Sequence, residues 1–447
     1  MTRVLAFTIL LSLSSAVAGH AVAQPVLTVE QAVQDALAHN RPLSAARTSV
    51  GEASAQVQAA RAALFPRVTV SEAWQRGNQP VFVFGSLLNA RRFSAANFAI
   101  DALNYPDPTG FFRTSIGVDQ LLFDGGRSRA TVHLATLQRD LAATGVDVAS
   151  AGTAVAVTQA YGRLLASVVA RRAAESAVAT ALDDVERARQ RRDAGLATDA
   201  DVLSLQVHVS ELQQRVIQAG GDIAVARAEL NRLMGSPIDR DYVPTAPAEP
   251  VDRAPGPLAA LLADAERSRP ELKRAATVAE IGDALQRQAR AAFIPQLAAQ
   301  GAVDVAGTSF ADRASSWVFG GELRWTLSAG GAEGARVRAA SEAASRARIE
   351  RDEVRASVQV EVVSALARLE AARARQAVGR ATVDQARESQ RIIRDRFGAG
   401  MATATDVLRA STALLDAEAQ QTSALVDAMI SRALLDQATG RLAPGAN

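Results

Sequence analysis

Residues 192–203 read RDAGLATDADVL, and residues 396–408 read RFGAGMATATDVL. The second stretch repeats the first. Gly195 answers Gly400, Thr198 answers Thr403, Asp201 answers Asp406 and Leu203 answers Leu408, all at an offset of 205. The same offset carries Gly125-Gly126 onto Gly330-Gly331 and Gly235 onto Gly440. Nearer the start, Leu64-Phe-Pro66 answers Phe293-Ile-Pro295 at an offset of 229, so the first copy holds 24 extra residues between Pro66 and Gly125. A duplication of about 200 residues means one structural unit built twice.

Each copy follows one plan. A short helix is expected over residues 28–40 and 257–269, and a proline (Pro42, Pro270) then breaks it. A second helix is expected over 43–64 and 271–292. Two strands follow per copy. Trp317, Phe319, Gly321, Leu323, Trp325 and Leu327 alternate with Ser316, Val318, Gly320, Glu322, Arg324 and Thr326, a period of two with one apolar face. Residues 114–122 alternate less cleanly, and 67–75 and 296–305 supply the partners. A very long helix runs over 127–192 and 334–396. In its second copy Val354, Val358, Val362, Ala365, Leu369 and Ala372 make a narrow coiled-coil seam. After the quoted turns, last helices cover 199–233 and 405–438.

Lengths decide the architecture. A helix of about 65 residues spans roughly 100 Å, and the second and last helices of a copy together nearly match it. The economical solution is a rod: a long helix folded against two shorter ones stacked end to end, with strands at one end and a tight turn at the other. The domain reading is a signal peptide at 1–23, a first repeat at 24–235, a linker at 236–257 holding six of the fifteen prolines, a second repeat at 258–440 and a tail at 441–447. Within the first repeat, residues 77–112 form an extra segment between two strands, at the end away from the turns. It reads as an external loop that narrows or caps an exit, or as an inert surface loop.

Composition narrows the function. Arg3, the apolar run 4–13 and Ala21-Val-Ala23 form a secretory leader. No later run of about 18 apolar residues is expected to make a membrane helix. The absence of cysteine excludes disulfides, zinc–thiolate sites and a lipidated N-terminal cysteine. A net charge of +2 gives no case for nucleic acid. No catalytic or phosphate-binding motif is present, and the histidines at 20, 39, 133 and 208 lack metal-ligand spacing, His39, His133 and His208 reading as solvated helix positions. No enzyme activity, cofactor or metal site is expected.

Four strands cannot close a transmembrane barrel, which needs about eight or more. Open edges are not tolerated in lipid, so strands that span a membrane must be pooled between chains. The alternative is a periplasmic sheet with one buried face, but helices of about 100 Å suit no compact soluble domain. The lipid-facing residues are then Trp317, Phe319, Leu323 and Trp325.

The order and spacing of Arg-Pro-Glu-Leu at 269–272, Ala-Phe-Ile-Pro-Gln at 292–296, Phe-Asp-Gly-Gly at 123–126 and the two quoted turns resemble the TolC-like outer-membrane efflux proteins over the whole mature chain. That resemblance implies a mainly helical homotrimer with a small β part: twelve pooled strands forming one outer-membrane barrel, and a helical periplasmic tunnel. It implies a passive exit duct in the outer-membrane lipid, docked on a periplasmic adaptor and an inner-membrane pump of RND, ABC or MFS type. Drugs, metal cations and polypeptides all leave through such ducts. The alternatives are a periplasmic coiled-coil adaptor, which needs only one hairpin, and a secreted scaffold.

The resemblance also assigns a tip. Asp201 and Asp406 fall on acidic positions that narrow the closed tunnel and favour cations. A third such position is Arg409 here, and the places of a closing tyrosine and arginine are Phe397 and Ala402. Read from the residues alone, Thr198 and Thr403 each stand three positions before their aspartate, a helix-capping arrangement. Both roles can hold together. Gly195, Gly398 and Gly400 let the chain reverse and make the turns, with Thr198 and Thr403, a docking surface for the adaptor.

Overall fold

The computed structural model describes residues 25–246, 255–327 and 330–442. The expected leader, the middle of the linker and the end of the tail lie outside the described residues. The chain starts with β1 (Val26–Leu27), α1 (Val29–His39) and α2 (Arg41–Ala62), then rises through β2 (Arg67–Gly77). A folded insert follows: α3 (Pro80–Asn89), a 3-10 turn (Ala95–Phe98) and α4 (Ile100–Asn104). The chain returns along β3 (Thr109–Phe123), descends α5 (Arg127–Asp193) and climbs α6 (Asp199–Met234). After β4 (Val243–Pro244) the plan repeats without the insert, as α7 (Leu258–Ser268), α8 (Pro270–Arg290), β5 (Gln296–Gly307), β6 (Arg313–Arg324), α9 (Ala332–Gly398) and α10 (Ala404–Ala438).

The helix boundaries have local causes. Thr28 caps α1 through a reciprocal box with Gln31, and the Asn40 side chain caps α2. Pro42 and Pro270 therefore stand in the first turn of the second helix, where a missing N–H costs nothing, rather than ending the first. The long helices α5 and α9 have 67 residues each, so each spans about 100 Å. On α5 lie α2 and α6, with 22 and 36 residues; on α9 lie α8 and α10, with 21 and 35. Contacts of α5 with α8 and α10 join the copies.

The stacked helices meet at an equator built alike in both copies. Asn40 Nδ2 donates to the Leu233 carbonyl at 2.8 Å, and Arg269 Nη1 donates to the Gln437 carbonyl at 3.0 Å. Gly235 and Gly440 end their helices with φ of +68° and +75°. A side chain on either would collide with backbone, at His39 or Ser268. The described part of the linker is not helical. β4 pairs in parallel with β1, and the Tyr161 hydroxyl, 2.7 Å from the Leu27 and Thr245 carbonyls, pins both to the middle of α5. This pair of two-residue strands was not legible in the sequence.

The core runs as a string of clusters. Val358, Val362, Ala365, Leu369 and Ala372 are buried in α9 with Val354 beside them, so the expected seam forms. Truncating Leu369 to alanine would cost about 2–5 kcal/mol. α5 contains an 18-residue window apolar enough by composition to cross a membrane, which the sequence reading did not anticipate. Val157, Tyr161 and Leu164 on this helix are fully packed against α1 and α6, and 39% of the window is buried within the chain.

The four long strands form one antiparallel sheet in the order β2-β3-β5-β6. Every strand joins a long or second helix at one end. The opposite ends are joined by the insert and by a short hairpin, so one end of the sheet faces away from the rod. Registered partners share a face. One face carries Val68, Val70, Trp74, Ile116, Val118, Val303, Trp317, Phe319 and Leu323; the other carries Ser71, Gln75, Arg113, Ser115, Asp119, Gln300, Asp304, Ser316 and Glu322. β6 ends at Arg324, so Trp325 and Leu327 follow the strand instead of sitting on it. Trp325 leaves the ladder because its indole N–H donates to the Phe293 carbonyl at 3.1 Å.

Candidate functional site

Two regions carry the chemistry, the hairpin tip and the sheet. At the tip α5 turns into α6, and α9 into α10. In both turns a glycine in the left-handed region stops the descending helix: Gly195 at φ +74° and Gly400 at φ +80°. The next N–H reaches back to close the turn, Leu196 to the Arg191 carbonyl and Met401 to the Arg396 carbonyl, each at 2.8 Å. Gly398 is different. It lies in the last turn of α9 without a left-handed conformation, so only one glycine per turn does the reversing.

Thr198 and Thr403 then cap the ascending helices in complete boxes. Asp201 Oδ2 accepts from the Thr198 N–H at 2.9 Å and hydroxyl at 2.8 Å, and Asp406 Oδ2 accepts from the Thr403 N–H at 2.9 Å and hydroxyl at 2.7 Å. The Thr198 backbone and hydroxyl hold the Asp201 carboxyl below its usual range, and Thr403 does the same for Asp406, with a smaller contribution from Arg409. The capping role is therefore present in full. Arg409 lies exposed on α10, just beyond the cap.

Phe397 is not placed as the gate assignment expected. It is 3% exposed, in a cluster with Val202, Leu205, Ala188 and Val407. Arg191 covers it, with the guanidinium 4.8 Å from the ring centroid and Nη1 donating to the Phe397 carbonyl. A phenyl ring cannot replace a tyrosine hydroxyl, and the apolar cluster takes it instead. Ala402 packs against the same cluster. A second bridge between the hairpins lies deeper. Arg394 Nε on α9 donates to Asp184 Oδ1 on α5 at 2.8 Å. Asp184 is 3% exposed, and burial pushes its carboxyl up against the opposing pull of Arg394.

Sequence reading missed Arg191, Asp184 and Arg394. A signal existed: Asp184 interrupts the small-residue seam of Ala181, Val185 and Ala188, where a charge needs a partner. His208 also departs from expectation. Its side chain is 11% exposed, and Nε2 lies 3.2 Å from the Ser411 hydroxyl on α10, so it bridges two helices instead of sitting in solvent.

At the sheet, Trp317 and Phe319 stand near the middle of β6 on the apolar face, and Leu323 stands one residue from its inner end. Trp317 is 79% exposed, and Phe319 and Leu323 are exposed with it. Aromatic residues gather at both ends of the sheet. Trp74, Phe112 and Phe310 cluster at the outer end, and Phe65, Phe123, Phe293 and Trp325 stand at the inner end. The two-tryptophan belt expected on one strand is thus spread over several.

The family model described as outer membrane efflux protein matches residues 32–236 and 261–441. The outer membrane efflux protein BepC of Brucella suis biovar 1 (strain 1330) is 26% identical over 421 residues, which span 93% of this chain and 86% of BepC. The solved structure of the outer membrane protein VceC of Vibrio cholerae superposes with a TM-score of 0.75 at 18% identity, covering 92% of this chain and 96% of VceC. The Campylobacter jejuni CmeC outer membrane channel superposes with a TM-score of 0.78 at 16% identity, covering 92% of this chain and 85% of that one. At those identities the two structures speak for the shared fold, mainly helical with a small β part.

Proposed function

This chain belongs to the outer membrane efflux protein family, and we propose that three copies close into a single duct, a twelve-stranded barrel continued by a helical tunnel. It is an outer-membrane exit duct of an efflux system; the adaptor and scaffold alternatives fall with that finding. The observation that carries the trimer is the open sheet. β2 and β6 are its edges, they run in opposite directions, and they have 11 and 12 residues. β6 of one copy can therefore continue into β2 of the next without breaking the antiparallel order. Unpaired edges of this length are not stable in lipid.

The helices support the same closure. At about 100° per residue, the exposed Ile349, Val360, Val363, Val378 and Ile392 of α9 fall within about 60° of one another, opposite the buried Val362, Leu369 and Val383. On α6 the exposed Leu203, Val207, Ile217 and Val225 form a similar stripe opposite Leu205, Leu212 and Leu230. A helix with two apolar faces needs a second partner. In a ring, α9 of one copy would lie beside α2 and α6 of the next.

In this reading Trp317, Phe319 and Leu323 face lipid, and the polar face lines the lumen. The aromatic residues at the sheet ends mark the interfaces. The tip turns, with exposed Leu196 and Met401 beside Gly195 and Gly400, form the docking surface for a periplasmic adaptor coupled to an inner-membrane pump. Asp201 and Asp406 from three copies would form a ring of six carboxylates. Mass measurement of the detergent-extracted protein tests the assembly: three chains per particle are expected, and a water-soluble monomer would overturn it.

A further inference from the structure

The insert between β2 and β3 packs on the face of the sheet that the barrel reading makes luminal. Ala90, just past the end of α3, shares a buried cluster with Phe111 and Ala306, and the partly buried Phe82 of α3 packs against it. The bare face of Gly77 looks onto Phe82, and the Phe82 and Phe111 rings meet edge to face at 6.5 Å. By register, Gly77, Phe111 and Ala306 belong to the polar face with Gln75, Arg113, Ser115 and Asp304. So α3 starts beside β2 and crosses the inside of the outer end to β5 and β6.

Its far end is fastened there. Arg91 is the one non-glycine residue with positive φ (+55°) among the described residues, a conformation that costs about 1–2 kcal/mol. Its guanidinium donates to the Ser315 carbonyl at 3.2 Å, and Arg92 holds Thr308 at 2.6 Å and Asp312 at 3.1 Å. The 3-10 turn and α4 then stack on α3 instead of on the sheet, through edge-to-face contacts of Phe93 with Phe84 and Phe98.

The insert still exposes large apolar side chains, Val81, Phe98, Ile100 and Tyr105, and it holds a crevice of about 310 Å³ between Phe84, Leu87, Phe93 and Leu103. Knobs and a hole on one element are what a head-to-tail ring of identical copies needs.

We propose that the inserts of three copies meet inside the outer mouth of the barrel and close it as an apolar plug, a second gate at the end opposite the tip. The occupant of the exposed insert surface is the same surface on the neighbouring copy. Opening requires the inserts to separate, and the Arg91 and Arg92 anchors fix the hinge side. This gate rests on the trimeric barrel reading.

The chain has no cysteine, so single cysteines report cleanly. Ala302 lies mid-strand on the polar face, below the insert. Intact cells carrying Ala302→Cys would be treated with a bulky, membrane-impermeant maleimide. Replacing residues 78–108 by a short glycine–serine turn should raise its labelling rate about tenfold, corresponding to a plug closed roughly nine-tenths of the time. Arg92→Ala, which keeps the insert, should raise it in the same direction, and Ile100→Cys should form disulfide dimers between copies. A trimer labelled equally with and without the insert, and with no Ile100→Cys cross-link, would overturn the plug alone. A monomer, or Ala302→Cys inaccessible even without the insert, would overturn the barrel reading beneath it.

Discussion

At the tip, two threonine–aspartate caps and two arginine bridges hold helix ends that the chain writes twice. At the outer end, an aromatic insert written once lies against the sheet, with no counterpart in the second repeat, where residues 308–312 connect the strands. In a trimer the tip presents six nearly equivalent hairpins and the mouth only three inserts. The contrast separates two jobs. Duplication builds walls, since every side of a tunnel must be alike. A closure needs fewer copies, and one insertion per chain supplies it. Both ends combine apolar packing with arginine anchors: at the tip the arginines bridge two helical hairpins, and at the outer end they fasten the insert to the sheet.

The largest expected effect lies in the sheet that carries the mouth. Phe319→Arg puts a charge near the middle of the apolar face and should cost about 2–4 kcal/mol, while Val318→Arg on the opposite face should cost far less. Leu323 stands near the inner end of β6, where the same change falls to about 0–1 kcal/mol. Folding yield into vesicles measures all three. Equal costs at 318 and 319 would mean that the two faces do not meet different solvents.

At the tip, Asp184→Ala takes from Arg394 its hydrogen-bonded partner and leaves it the exposed Asp183, 3.9 Å away. Losing one partner of a buried pair costs about 3–5 kcal/mol; with Asp183 in reach and Arg394 22% exposed, a value at or below about 3 kcal/mol is expected. The loss should stay local. Protease should nick the turns near Arg192 and Arg396 faster while the trimer persists in detergent. Dissociation of the trimer instead would place the work of this pair in assembly.

Gly400→Val forces a β-branched residue to φ +80° and should cost about 1–2 kcal/mol. Export should fail while barrel insertion is unchanged, and Gly195→Val should act alike. Gly398→Ala, in ordinary helical backbone, should be silent, and a loss of export there would mean that the small side chain itself is needed for docking. The Thr403→Ala cap variant should cost about 1 kcal/mol by thermal melting.

Much of this was legible in the sequence. The paired glycines, the capping motif and the seam from Val354 to Ala372 are local signals, and the structure turns each into the expected element. Lengths alone gave the stacked helices against α5 and α9. What failed to show was everything set by contact between distant segments. Phe397 and Asp184 look like any helix residues until the fold brings Arg191 and Arg394 to them. The inward turn of α3 depends on Phe82 meeting Phe111 and Ala306, and no spacing encodes that. Trp325 looked like one more alternating residue because period two says nothing about where pairing stops.

The smallest expected effect separates the two roles of the tip aspartates. As isolated caps, Asp201 and Asp406 titrate below the ordinary carboxylate value of about 3.9. Their stabilisation is fully present above that value and is lost as pH falls through the lowered ones. In a ring of six, mutual repulsion pushes the same groups back up. Ion preference of the trimer in a planar bilayer should therefore report the arrangement through its pH profile. A preference for cations that fades above the ordinary carboxylate value indicates crowded carboxylates sharing a constriction. One that persists below that value indicates well-separated caps. The preference should be mild, since in the proposed trimer three copies of Arg409 would stand just beyond the ring, and it should shrink with salt as the Debye length falls toward about 3 Å. Asp201→Asn with Asp406→Asn should remove it at neutral pH. If the double variant keeps the wild-type ion preference and loses only thermal stability, the carboxylates serve their helices and the tip selects by size alone.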